Sequence, residues 1–201
     1  MGNRMDDSLT GLATFFVRHW LSILIVLVAL FTLPIVGVPL IESANIPFLN
    51  TLADAIFRLY GGPVCHQLPE RSLFIFGHQM TVCSRCFAIY VSFLVGCILF
   101  ALVRTKLKPW NIAYYILLCV PMAIDGFTQL FHVAIPRAIG QGFQLIWMTE
   151  STNEMRIITG IIFGLASALF VLPYLQGIFN EDVGPATGVN AVFSREETTG
   201  R

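Results

Sequence analysis

Three of the five cysteines and two of the four histidines in this chain fall between Cys65 and Cys86. Cys83 and Cys86 are three residues apart at the expected start of an apolar helix. That spacing puts both sulfurs on one side of a helix, within reach of one metal ion or of each other. A helix N-terminus offers free backbone N–H groups and positive potential, and Arg85 adds a cation. Both favour thiolate over thiol. Together with Cys65 and either His66 or His78, the stretch holds a Cys3His set suited to tetrahedral zinc. His78 sits near the tip of a possible hairpin. His66 adjoins Cys65, and neighbours in an extended chain point apart, which makes that pair harder to use jointly. The same atoms suit a redox dithiol. In an oxidising compartment Cys83 and Cys86 can pair, with Cys65 as a third, resolving thiol. A third reading has the thiols only tying the loop down.

A second constellation lies in the apolar part of the chain. Asp125, Gln129 and His132 follow at i, i+4 and i+7, a polar stripe near the end of an otherwise apolar helix. At about 1.5 Å per residue, Asp125 lies about 10 Å below that helix end. A carboxylate at such depth in a membrane faces the bundle interior or a cavity and needs a partner, and Arg156 or Arg85 is the natural one. Further on, Glu150 and Asn153 share a helix face, with Glu154 and Arg156 beside them. Asp125, Glu150 and Arg156 are therefore the candidate reactive groups, and Gln129, Asn153 and Arg85 the candidate ligand-binding groups. The competing readings are a salt-bridge network that fixes helix register, and an exposed helix start capped by Ser151 or Thr152.

The elements that carry these residues are membrane helices. The chain of 201 residues is 56% hydrophobic and 12% charged, against about 25% charged in an ordinary soluble domain. The formal net charge is zero, and no basic surface points to nucleic acid. Long apolar runs predict four spans: Trp20 to Ile41, about Cys86 to Val103, about Trp110 to Phe131, and from Glu150–Arg156 to near Leu175. The first exceeds a signal-peptide core and reads as an uncleaved span, with Pro34 and Pro39 tolerated inside it. Leu49, Leu52, Ala53, Ile56, Phe57 and Tyr60 recur at helical spacing opposite Asp54 and Arg58, which predicts a short amphipathic helix at the interface or on the bundle. Leu73–Phe76 and Met80–Cys83 flank Gly77-His78 and predict a hairpin. His132 to Thr149 is less regular. The fold class is thus all-α and polytopic, with four transmembrane helices, an interfacial helix and a Cys/His-rich loop. A segment 1–19 precedes one membrane domain, 20–175, whose loop 42–86 carries the Cys/His site. A polar tail, 176–201, is expected to be disordered.

Arg4, Arg18, Arg104, Lys106 and Lys108 flank the spans so that both termini fall in the cytoplasm and the Cys loop outside a cell membrane. Ala88, Ser92 and Gly96 line one face of the second span, and Gly160, Gly164 and Ala168 one face of the fourth. Small residues at this spacing let helices approach closely, so these spans pack on each other or on a partner chain, such as a second copy. Cys97 and Cys119 lie mid-span and read as packing residues.

Taken together, Cys65-His66-Gln67, Arg71-Ser72, Gly77, Cys83-x-Arg85-Cys86 and Tyr90 resemble a family of small prokaryotic membrane proteins, the domain of unknown function 2085 family. Asp125-Gly126-x-x-Gln129, Glu150-Ser151-x-Asn153, Arg156 and Thr159-Gly160 extend the likeness, which covers roughly residues 60–170. Where family members often carry Gly two residues before the Tyr, this chain has Ala88. The resemblance implies that the Cys loop and the polar residues of the third and fourth spans belong together. It also favours His66 over His78 as a ligand, because His78 is not part of the family pattern. Four spans with an outward Cys-x-x-Cys also resemble, in architecture alone, the vitamin K epoxide reductase group of quinone-linked thiol oxidants. That group's second pair of loop cysteines is missing here. The reading is a zinc-binding loop, formed by Cys65, His66, Cys83 and Cys86, that caps a polar intramembrane pocket. Four protein ligands would make the zinc structural; three would leave a position for water activation. The alternatives are a thiol–disulfide oxidoreductase working with quinone and a non-enzymatic membrane subunit or transporter-like binder.

Overall fold

The structure is a computed structural model that describes residues 2–62, 64–103, 107, 110–134 and 152–183; the side chains of 2–10, 13, 128–134 and 180–183 are not described. The described residues form five helices and one hairpin, in chain order: α1 (Gly2–Ser43), α2 (Pro47–Tyr60), a 3₁₀ turn (Pro69–Arg71), β1 (Ser72–Ile75), β2 (His78–Cys83), α3 (Ser84–Val103), α4 (Ile112–Ala134) and α5 (Asn153–Val183). Among the described residues, three helices are long and apolar enough to cross a bilayer: Thr14–Ser43, Ser84–Val103 and Asn153–Phe179. In α4 the described apolar run, Ile112–Phe127, is shorter.

Two elements outrun their predicted limits. Helix α1 is continuous from Gly2, with Pro34 and Pro39 inside it, so segment 1–19 is not separate from the first span. Helix α5 continues through Val183, past the predicted end near Leu175, because Phe179 stacks on Trp20 of α1 with ring centroids 5.1 Å apart. That contact gives the last turns an apolar partner. The rest of the predicted tail, 184–201, and the irregular stretch 135–149 lie outside the described residues.

The bundle is organised by α3 and α5. A Cβ added to Gly160 would meet Ala88 Cβ and Arg85 O at 2.8 Å. One added to Gly164 would meet Ile89 O at 2.5 Å and collide with Ser92 Oγ, and one on Gly96 would meet Ala168 Cβ at 2.5 Å. The two small-residue faces therefore close on each other within the chain. The rows 88/160, 92/164 and 96/168 advance together, so α3 and α5 run parallel. Such close approach replaces side-chain volume with backbone contact, which is how helices gain packing where lipid removes the hydrophobic drive.

Helix α1 runs antiparallel to α3 along the bundle. Leu21 packs with Cys97, Phe100, Ala168 and Leu172 at one end. At the other end Ile35 packs with Tyr60, Cys65, Met80 and Val82. Cys97 is fully buried in the first cluster, a packing residue as its mid-span position predicts. Helix α2 docks against α1 through Ala53, Ile56 and Tyr60, and the Tyr60 hydroxyl donates to Phe31 O. Its opposite flank leaves Phe48, Leu52 and Leu59 exposed, an apolar face of the kind that suits a membrane interface.

The hairpin pairs Ser72 with Cys83, Phe74 with Gln79 and Ile75 with His78, with an irregularity between Ser72 and Phe74. Phe76 and Gly77 form its two-residue turn, at φ 50° and 85°. Two positive φ values match the turn twist that antiparallel strands prefer, and Gly77 meets the requirement without strain. Met80 and Val82 are buried, which lays β2 on the end of α1.

Candidate metal centre

The loop that carries Cys65 is built by backbone turns and two glutamines. Gly61 ends α2, its N–H donating to Phe57 O and Arg58 O. Gly62 follows at φ +78°, and the chain doubles back so that Cys65 N–H donates to Tyr60 O and Gly62 N–H to Cys65 O, both at 3.1 Å. Gln67 then takes a left-handed φ of 50°. Its Nε2 donates to Phe57 O at 2.7 Å and Thr81 O at 2.8 Å, joining the end of α2 to β2. Gln79 Nε2 donates to Gln67 O at 2.8 Å and to Ser72 Oγ at 3.0 Å. A Cβ on Gly61 would lie 2.6 Å from Gln67 Oε1, so that glycine makes room for the amide.

This frame brings Cys65 to the junction of β2 and α3. Cys83 ends the strand, and Cys86 sits in the first turn of the helix. The three Sγ atoms lie within 4.8 Å of one another, and all three are free thiols. With Zn–S bonds of about 2.3 Å, a tetrahedral site sets sulfurs about 3.8 Å apart, so a small contraction would close the group on an ion. Cys65 is buried and accepts the Cys83 backbone N–H at 3.2 Å. Its thiol is driven well below the ordinary range by hydrogen bonds from the Cys83 and then the Cys86 thiol, with backbone N–H groups of Gln67 and Cys83 adding to them and burial opposing.

The histidines separate. His66 is exposed and lines the cavity beside the sulfurs, outside the three-sulfur group. His78 opens β2 and points its Nδ1 at Glu42 Oε2 of α1, 3.2 Å away.

The cavity measures about 330 Å³, and its second wall is cationic. Arg71 of the 3₁₀ turn, Arg85 of α3 and Arg156 of α5 all line it. Arg85 pairs with Asp125 of α4, which also accepts from Thr159 Oγ1 at 3.4 Å. Of the two partners foreseen for Asp125, the direct contact is with Arg85. Arg156 is only 6% exposed and donates from its NH1 to Asn153 Oδ1 at 3.0 Å. Ser84, fully buried, donates to Arg71 O at 3.1 Å and lies 3.0 Å from Asn153 Oδ1. Asp125 and Asn153 therefore stand behind the arginines and orient them. Gln129 lies on α4 one turn beyond Asp125, but its side chain is not described. Glu150 lies outside the described residues.

Three residues of the site went unassigned in the sequence reading. Gln67 carries the loop frame, Arg71 joins the cationic wall and Ser84 ties that wall together. Each lies within or beside a quoted motif, but none has a spacing that reveals its role.

The chain matches the family described as Predicted membrane protein (DUF2085) over residues 65–170. That interval runs from the first sulfur of the site through most of α5. An uncharacterised protein of Methanocaldococcus jannaschii is 40% identical over 136 residues, which cover 66% of this chain and 74% of that protein. An uncharacterised protein of Methanothermobacter thermautotrophicus is 33% identical over 106 residues, covering 53% of this chain and 82% of that one. No solved structure matches. Sulfurs, arginines and the α3–α5 contact thus all fall in the matched interval, and the chain belongs to the DUF2085 family of predicted membrane proteins.

Proposed function

We propose that this chain is a four-span membrane protein whose Cys65, Cys83 and Cys86 bind one zinc ion, which holds a lid over the charged cavity. One observation carries the reading: three sulfurs from a loop, a strand end and a helix start lie within 4.8 Å of one another. A dithiol cycle with quinone needs two sulfurs, and a third at the same point favours a metal. The fourth position would be taken from the cavity side, by His66 or by water.

The fourth span is α4. Helices α3 and α5 run parallel, so the chain must return between them, and α4 is the helix that joins them. With α1 antiparallel to α3, both termini come to one side and the Cys loop to the other, in keeping with the Arg and Lys distribution that puts the loop outside.

Elemental analysis of protein purified without chelators is expected to find about one zinc per chain. Cys65→Ser and Cys86→Ser should each lower that content at least tenfold. Wild-type protein free of metal, with all three thiols open to alkylation, would overturn the assignment. A Cys83–Cys86 disulfide that forms and reduces reversibly would instead establish the dithiol cycle.

A further inference from the structure

We infer that the cavity beside the sulfurs binds a phosphate group through Arg71, Arg85 and Arg156. Three guanidinium groups arrive there from three separate elements, yet the described residues set a single carboxylate, Asp125, against them. Like charges gathered at the edge of a low-dielectric bundle repel strongly unless an anion is shared among them. A zinc ion on three thiolates would carry one net negative charge. Even then, three arginines against that charge and Asp125 leave the cavity cationic.

The hydrogen-bond pattern points the same way. Arg85 Nε and Arg156 Nε are both buried and lack a hydrogen-bond partner among the described residues. Arg156 is held at 6% exposure with its NH1 committed to neutral Asn153, so its charge is oriented without being neutralised. These Nε atoms are closed off from solvent, so the two guanidinium groups meet the cavity through their other atoms.

The backbone adds to the field. Helices α3 and α5 both begin here, with Ser84 Oγ 3.0 Å from Asn153 Oδ1, so two positive helix ends meet at the cavity. The first turn of α3 carries no acidic residue, and the one in the first turn of α5, Glu154, is exposed and is not among the residues lining the cavity. Oxyanions are favoured at such ends. A phosphate monoester offers three terminal oxygens to three guanidinium forks, where a carboxylate offers two. At about 330 Å³ the cavity is of a size for a small phosphate-bearing molecule or a lipid headgroup.

The test uses the full chain in nanodiscs of phosphatidylcholine, with zinc content measured on the same samples. Thermal stability is compared in inorganic phosphate and in chloride at equal ionic strength, then in discs doped with phosphatidic acid. Stabilisation by inorganic phosphate in undoped discs identifies a soluble phosphate ligand. Stabilisation only in doped discs identifies a lipid headgroup. Arg71→Gln is expected to weaken the effect at least tenfold in ligand concentration, and Arg71→Lys to restore part of it. Arg71 is half-buried, as Arg85 is, but unlike Arg85 and Arg156 it makes no side-chain hydrogen bond or ion pair among the described residues, so its variant is expected to keep the fold. Absence of any shift from either phosphate source in folded wild type would overturn the proposal, as would an unchanged response in Arg71→Gln. Because zinc is counted separately, a failed phosphate response with zinc present leaves the metal reading standing, and the converse also holds.

Discussion

Cys65, Cys83 and Cys86 reach the cavity from one short stretch, locked by backbone turns and by the amides of Gln67 and Gln79. Arg71, Arg85 and Arg156 reach it from the same stretch and from a helix far along the chain, and Asp125 orients Arg85 and Asn153 orients Arg156 from behind. The sulfur wall is thus a local construction that a small loop can hold. The cationic wall exists only when α3, α4 and α5 are packed. The difference teaches that the lid and the bundle can be perturbed separately, except where Ser84 joins them by touching both Arg71 O and Asn153.

The largest effect should come from breaking the bundle that both walls lean on. Gly164→Val puts a Cβ 2.5 Å from the Ile89 carbonyl, which is backbone and cannot move aside. We expect loss of folded monomer, a cost of about 3 kcal/mol or more, read by thermal denaturation in detergent. Full stability in that variant would contradict the parallel α3–α5 register.

Next, Asp125→Asn removes the charge partner of Arg85 and should destabilise the protein by about 2–4 kcal/mol. Zinc content should stay near the wild-type value. If zinc is lost with it, the two walls are one unit and cannot be perturbed separately.

Gln67→Ala acts on the other wall. It leaves Phe57 O and Thr81 O without their amide donor, a cost of about 1–3 kcal/mol. Because it loosens the frame around Cys65, zinc affinity should fall about 10- to 100-fold, measured by competition with a chelator.

The smallest change is His66→Ala. If water fills the fourth position, zinc affinity should change by less than about threefold, because three thiolates carry the binding. A much larger loss would make His66 the fourth ligand.

Much of this was readable in residue order. The hairpin follows from a glycine between two β-prone runs, but its turn is Phe76-Gly77 rather than Gly77-His78, and β2 begins at His78, two residues before the expected Met80. The small-residue faces at 88/92/96 and 160/164/168 are periodic and so legible as contact faces, but that they close on each other within the chain, and not on a partner, is seen only in the fold. Arg71 stood in the family motif without a role, because an arginine after a Pro69-Glu70 turn reads as an ordinary surface charge. Gln67 likewise stood in a motif without a role, because its amide's two backbone acceptors, on α2 and β2, are far apart in the chain.

By itself the sequence determined the membrane class, the clustering of thiols and the helix faces able to touch, since these depend on composition and short-range period. Only the tertiary structure decided that Asp125 pairs directly with Arg85, that His78 turns to Glu42 while His66 stays by the sulfurs, and that Arg71 completes a cationic wall. Those choices hang on the rotation and register of elements 40 and 69 residues apart, as in Arg85–Asp125 and Ser84–Asn153. No local pattern encodes that register, because it is set by how closely α3 and α5 can approach.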